Sequence, residues 1–276
     1  MSDLHVGFPA NRAIAERIQP VTPADWLIVA GDVGEQAADI EWVLGTLTER
    51  FARVVWVPGN HELWTHGRDP LRLRGEERYL HLVDVCRRLG VVTPEDPYPI
   101  WTGAGEPVVV APLFVLYDYS FQLADLPPPE DGLARTAVSR AVVSTDERWL
   151  HPDPFPTRAA WCDDRVTKTE RRLAELPPGL PTVLVNHFPL VREPTAVLRY
   201  PAFAQWCGTV RTATWPARFR AQVVVYGHLH IPRTTWYAGI RHEEVSLGYP
   251  REWQRRSAAP VIPRQILPAA GAVGSS

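Results

Sequence analysis

Residues 54–62, VVWVPGNHE, constrain the fold more than any other stretch of this chain. Four apolar residues, three of them β-branched, are too short for a helix and suit a buried strand. Pro58-Gly59 then stops that strand and presents Asn60, His61 and Glu62 just beyond it. An isolated Asn-His pair reads most simply as a helix cap or a turn, but this pair has company. SDLH at 2–5, LIVAGD at 27–32, TVLVNH at 182–187 and VVVYGHLH at 223–230 repeat the pattern or its beginning. Each delivers His or Asp where a strand should end, and in an α/β sheet such ends converge on one edge.

Asp3 and His5 are two residues apart, and in extended backbone such residues point the same way, so both can reach one ion. Residues 11–18 read as a short helix with Asn11 as its cap and Pro20 as its stop. A strand at 26–30, a helix at 39–51 with Ile40, Val43, Leu44 and Leu47 at helical spacing, and the strand at 54 form a β-α-β unit. Further helices are expected at 76–89 and 163–176, and strands at 108–115, 182–185, 223–226, 234–237 and 243–247. Between 116 and 165 regularity fades into prolines (Pro127 to Pro129, Pro152, Pro154, Pro156) interleaved with Tyr117, Tyr119, Phe121, Trp149 and Trp161. So long an irregular run reads as a lid or insertion. Tyr117, Asp118, Tyr119 and Phe121, directly after a buried run, are expected to wall a substrate pocket. Residues 1–250 are read as one domain and 251–276 as a C-terminal extension.

Composition narrows the classes. With 276 residues, 45% hydrophobic and 22% charged, the chain can bury a substantial core and is not disordered. A net charge of −2 does not indicate a nucleic-acid partner. Cys86, Cys162 and Cys207 are widely spaced and lack CxxC, so they read as reduced, packed thiols, and a cytoplasmic location is expected. No apolar run approaches the ~20 residues of a membrane span. The oligomeric state is left open.

Asp3, His5, Asp32, Asn60, His61, His187, His228 and His230 all fall at expected strand ends. A metal site is the one chemistry that needs so many such groups together. Carboxylate, amide oxygen and imidazole without thiolate suit Mn, Fe, Zn, Co or Ni rather than calcium or magnesium alone.

In order, the blocks D-x-H, G-D, G-N-H-E, a single H and G-H-x-H make residues 3 to 230 resemble the calcineurin-like metallophosphoesterase superfamily. The resemblance implies a β-sandwich of two mixed sheets flanked by helices, an α/β (α+β) fold. It implies two divalent transition-metal ions, manganese first. One would be held by Asp3, His5, Asp32 and His230, the other by Asp32, Asn60, His187 and His228, with Asp32 bridging. The implied reaction is hydrolysis of a phosphate mono- or diester in a small phosphorylated substrate by attack of a metal-bridging hydroxide, with His61 beside the leaving oxygen. A nearby carboxylate, Glu62 or another, would orient His61, and His66, Arg12, Arg192 and Arg199 are candidate phosphate contacts. The alternative is a metal-binding scaffold of the same fold without turnover. One departure stands out: only Met1 and Ser2 precede Asp3, where the family has a buried first strand. This suggests that the native chain begins upstream with a short β-branched segment, with residues 261–267 as another source of the strand despite Pro263.

Overall fold

A computed structural model describes residues 1–122, 143–256 and 263–268. The chain opens with α1 (Pro9–Ala15), then builds a parallel pair, β1 (Trp26–Val29) and β2 (Arg53–Trp56), through the crossover helix α2 (Ala37–Thr48). The one-turn helix α3 (Asn60–Leu63), the longer α4 (Gly75–Arg88) and the strands β3 (Ile100–Trp101) and β4 (Val108–Pro112) follow. Next come α5 (Asp146–Trp149), α6 (Arg158–Ala174), β5 (Thr182–Val185), α7 (Trp215–Arg218) and β6 (Ala221–Tyr226). The hairpin β7 (Arg233–Tyr237) and β8 (Ile240–Glu244) leads to α8 (Pro250–Trp253).

Strands β3 to β8 form one mixed sheet in the order β3-β4-β5-β6-β8-β7, antiparallel at both edges and parallel in the middle. The side-chain period of two explains how the layers assemble. Val108, Val110, Val183, Val185, Val223 and Val225 share a face and meet Ala30, Val55 and Val57 in an almost all-valine core between the sheets. Residues of the opposite parity, among them Val54, Trp56, Ala111, Leu184, Val224 and Tyr226, pack with the helices in a second, larger core. Each fully buried valine contributes roughly 1.5–3 kcal/mol, and this parity fixes strand register, since a slip by one residue would exchange the two cores.

The first three residues stitch the sheets together. Ala30 N donates to Met1 O (2.8 Å) and Asp3 N to Gly31 O (2.9 Å) on one side. On the other, Ser2 N donates to Val245 O (3.0 Å) and Leu247 N to Ser2 O (3.0 Å). Ile266, in the C-terminal extension, reaches the valine core beside them. Residues 257–262 and 269–276 lie outside the described residues.

Three expectations change. Asn11 does not cap α1; it sits inside the helix, buried, with Nδ2 donating to Leu4 O (2.7 Å) and Gly248 O (3.0 Å) and Oδ1 accepting from Trp253 Nε1 (2.8 Å). Pro9 supplies the helix start instead, its fixed φ suiting the first turn. Helix α6 begins at Arg158, well inside the stretch read as irregular, because Thr157 caps it by accepting from Ala160 N (3.0 Å). Tyr117, Tyr119 and Phe121 are buried rather than lining a cleft, the two phenols bonded to Asp146 and Glu147. Asp118 is likewise turned to Ser120 and Thr209. Residues 123–142, which include Pro127 to Pro129, lie outside the described residues. The cysteines are buried free thiols, and no helix among the described residues is long and apolar enough to cross a membrane.

Candidate metal centre

The seven candidate ligands converge on one edge of the sandwich. Asp32 follows β1, Asn60 opens α3 just after β2, His187 follows β5, and His228 and His230 follow β6. Asp3 and His5 do not reach a common point by strand alternation, as their spacing suggested. Their backbones are left-handed, at φ 55° and 43°, as are those of Asp32 (55°), His228 (68°) and His230 (55°). Five non-glycine residues in a sparsely populated region, all at one site, are local strain held in place by the surrounding fold. The close approach of the loops also demands glycine: a Cβ on Gly59 would overlap the Asp32 carboxylate.

Two sets of donor atoms stand side by side. In one, His230 Nε2 lies 3.0 Å from Asp3 Oδ1 and 3.2 Å from His5 Nε2. In the other, Asn60 Oδ1 lies 3.1 Å from both His187 Nε2 and His228 Nδ1. Asp32 stands between them, its carboxylate grouped within 4.8 Å of donors of Asp3 and His187 and, separately, of His5 and His61.

The electrostatics fit cations. Asp3 and Asp32 are buried, and no described Arg or Lys contacts either carboxylate. Burial opposes charge on His187 and His230, yet Asp32 and Asp3 outweigh it and raise their pKa values to about 10. Burial and the neighbouring His187 push His228 down to about 3. Two imidazole nitrogens 3.2 Å apart beside a buried carboxylate form a set that a divalent ion satisfies better than protons do.

Neighbouring groups aim the candidate ligands. His187 Nδ1 lies 2.9 Å from Ala30 O and His230 Nδ1 lies 2.7 Å from Glu252 Oε2, which turns each Nε2 inward. Asn60 Nδ2 donates to Asp146 Oδ1 (2.9 Å), so its carbonyl faces the site; Trp64 Nε1 (2.7 Å) and Tyr117 OH (3.1 Å) complete the Asp146 carboxylate's partners. His61 points Nε2 toward Asp32 Oδ2 (3.8 Å) and Nδ1 toward Glu35 Oε1 (3.1 Å). Glu35, not Glu62, is therefore the orienting carboxylate. Glu62 is wholly buried and accepts from the backbone amides of Asp32 (2.8 Å), Val33 (2.7 Å) and Gly59 (2.9 Å), binding the two metal-site loops together.

The candidate phosphate contacts are placed less favourably. Arg12 pairs with Asp39 (2.9 Å) over the Trp42 ring, and His66 packs against Trp149. Arg192 and Arg199 are exposed, the latter over Tyr200. Sequence reasoning missed Glu35, Asp146, Glu252 and Tyr249. Glu35 carried the one usable signal, a carboxylate three residues beyond Asp32 in the same loop.

The sequence model of the calcineurin-like phosphoesterase family matches residues 1–232. This chain belongs to that family. It is thus a metal-dependent hydrolase of phosphate esters. Among its relatives in the family, the acyl-carrier-protein phosphodiesterase PptH of Mycobacterium tuberculosis is 55% identical over 268 residues, 97% of this chain and 82% of that protein. The crystal structure of phosphopantetheinyl hydrolase (PptH) from M. tuberculosis superposes with a TM-score of 0.90 at 54% identity, covering 96% of this chain and 95% of that one. The architecture of two sheets flanked by helices is shared with it.

Proposed function

We propose that this chain is a dinuclear metal-dependent phosphodiesterase that removes the phosphopantetheinyl group from an acyl carrier protein. The observation that carries the reading is the 55% identity to the acyl-carrier-protein phosphodiesterase PptH along nearly the whole chain. The substrate is then a phosphodiester displayed on a protein rather than a free small phosphate ester.

On this reading Asp3, His5 and His230 would hold one ion and Asn60, His187 and His228 the other, with Asp32 available to both. The donor set suits manganese first, then iron, zinc, cobalt or nickel. Two such ions supply Lewis acidity and a water acidic enough to attack phosphorus near neutral pH. The remaining work falls to side chains. His61 turns Nε2 toward the reacting phosphate and donates a proton or hydrogen bond to the departing oxygen, while Glu35 holds Nδ1 and so fixes the ring. Glu62 keeps the backbone at Asp32 and Gly59 in register. The scaffold alternative is disfavoured because every candidate ligand reaches the centre and the proton donor has its orienting partner.

The test compares turnover of a phosphopantetheinylated acyl carrier protein, followed by mass spectrometry, with that of an aryl phosphomonoester, a cyclic diester and a diphosphate. The carrier protein should show the highest kcat/KM. A higher value for a monoester or a diphosphate would overturn the proposal.

A further inference from the structure

Tyr249 lies beyond the residues matched to the family, at the entry to α8, yet its ring belongs to the metal centre. It stacks on His5 with centroids 4.5 Å apart and planes at 26°, and meets His230 edge-on at 4.8 Å. Its hydroxyl lies 3.4 Å from His61 Nε2, the nitrogen that faces Asp32. Among the described residues this is the hydroxyl's one hydrogen-bond neighbour.

The backbone leaves the ring little freedom. Gly248 N donates to Asp3 O (3.1 Å), Asn11 Nδ2 donates to Gly248 O (3.0 Å), and Tyr249 N donates to Glu252 Oε2 (2.8 Å), the oxygen that also meets His230 Nδ1. Gly248 has φ +82°, and a Cβ there would come within 2.7 Å of Glu252 Oε2, so the turn that delivers the tyrosine requires glycine.

We propose that Tyr249 is a substrate-contacting residue whose phenol donates a hydrogen bond to the phosphate oxygen that lies beside His61. The inference rests on the phosphoesterase reading above. A phenol, with an ordinary pKa near ~10, is a donor throughout the neutral range. At 3.4 Å it makes only a long contact with His61, and an oxygen lying to one side of the pair, at the apex of a triangle, can meet each group at about 2.8 Å. A phosphate at the metals brings such an oxygen, and a fixed donor there opposes the charge that builds as the ester cleaves.

Tyr249→Phe keeps the ring stacked on His5 and removes only the hydroxyl. With bis(4-nitrophenyl) phosphate, kcat/KM should fall by about 10-fold to 100-fold, as for loss of one transition-state hydrogen-bond donor. Inorganic phosphate, titrated calorimetrically into the metal-loaded protein, should bind about tenfold more weakly, with metal content by elemental analysis equal to that of the parent. Phosphate affinity within twofold of the parent would overturn the proposal, as would loss of metal, which would make Tyr249 a packing support for His5. If the parent turned over no diester, the proposed function would fail on its own, and the phosphate titration would still decide the role of Tyr249.

Discussion

Asp32, Glu35 and His61 lie close together around the β1 and β2 loops, yet each should fail in its own way. Asp32→Asn should lower the content of both metals, because its carboxylate stands between both donor sets; elemental analysis showing full metal and full activity would exclude the bridging role. Glu35→Gln should leave metal content unchanged and lower kcat, because this carboxylate reaches the centre through His61 Nδ1. His61→Ala should lower kcat by roughly 10²–10⁴, again with metal retained. Proton release separates the ligands further. Asp32 and Asp3 raise the pKa values of His187 and His230 to about 10, so at neutral pH both hold protons that must leave before their Nε2 atoms can bind a metal. Metal affinity should therefore rise with pH through the neutral range. Calorimetry in buffers of different ionisation enthalpy should detect the released protons. The candidate ligands Asp32, Asn60, His187, His228 and His230 were legible because each follows a β-branched run, and Asp3 and His5 because they open the ordered series of motif blocks. Asp146 and Glu252 were not, because each meets its histidine or asparagine through space, with no spacing that marks it, and Glu35 offered only its place three residues beyond Asp32.

At the scale of elements, the strand runs at 26–30, 54–57, 182–185 and 223–226 read correctly because buried parallel strands are continuous apolar stretches, whereas β4 stops at Pro112 and β8 lies at Ile240–Glu244, ahead of the expected 243–247. The aromatic and proline-rich segment misled for the opposite reason. Aromatic side chains without periodicity look like an insertion, but here Tyr117, Tyr119, Phe121 and Trp161 are buried in the helix-side core. α5 shows the consequence, since its Asp146 ties that segment to Asn60, Trp64 and Tyr117. Asp146→Ala would leave three buried donors without their acceptor, at roughly 1–3 kcal/mol each before relaxation. The variant should show a lower urea midpoint and should retain the ion on the Asn60 side less well, measured by metal content after dialysis. A variant with parent midpoint and parent metal would show that Asn60 orients itself.

For the whole molecule, the acid limit of stability has a source outside the metal centre. His242 on β8 is 1% exposed and its Nδ1 has no partner among the described residues, and burial lowers its pKa to about 4. The folded pKa lies below the ordinary 6.5, so as pH falls the unfolded chain takes up the proton first. Stability from this group is complete above about 6.5 and is lost between about 6.5 and 4, by an amount on the order of 3 kcal/mol. Urea midpoints of metal-free parent and His242→Phe, followed across that range, should converge on one another's slope only above about pH 6.5. The seam made by the first three residues has a consequence of another kind, for the order of events at the ribosome. His230 meets Asp3 across 227 positions of sequence, and Ser2 bonds to residues 245 and 247. The first ligands to leave the exit tunnel thus wait for almost the last, and a nascent chain released early has no complete ion-binding cage to offer. On the proposed ligand set, charging with metal therefore has to follow synthesis of residue 230.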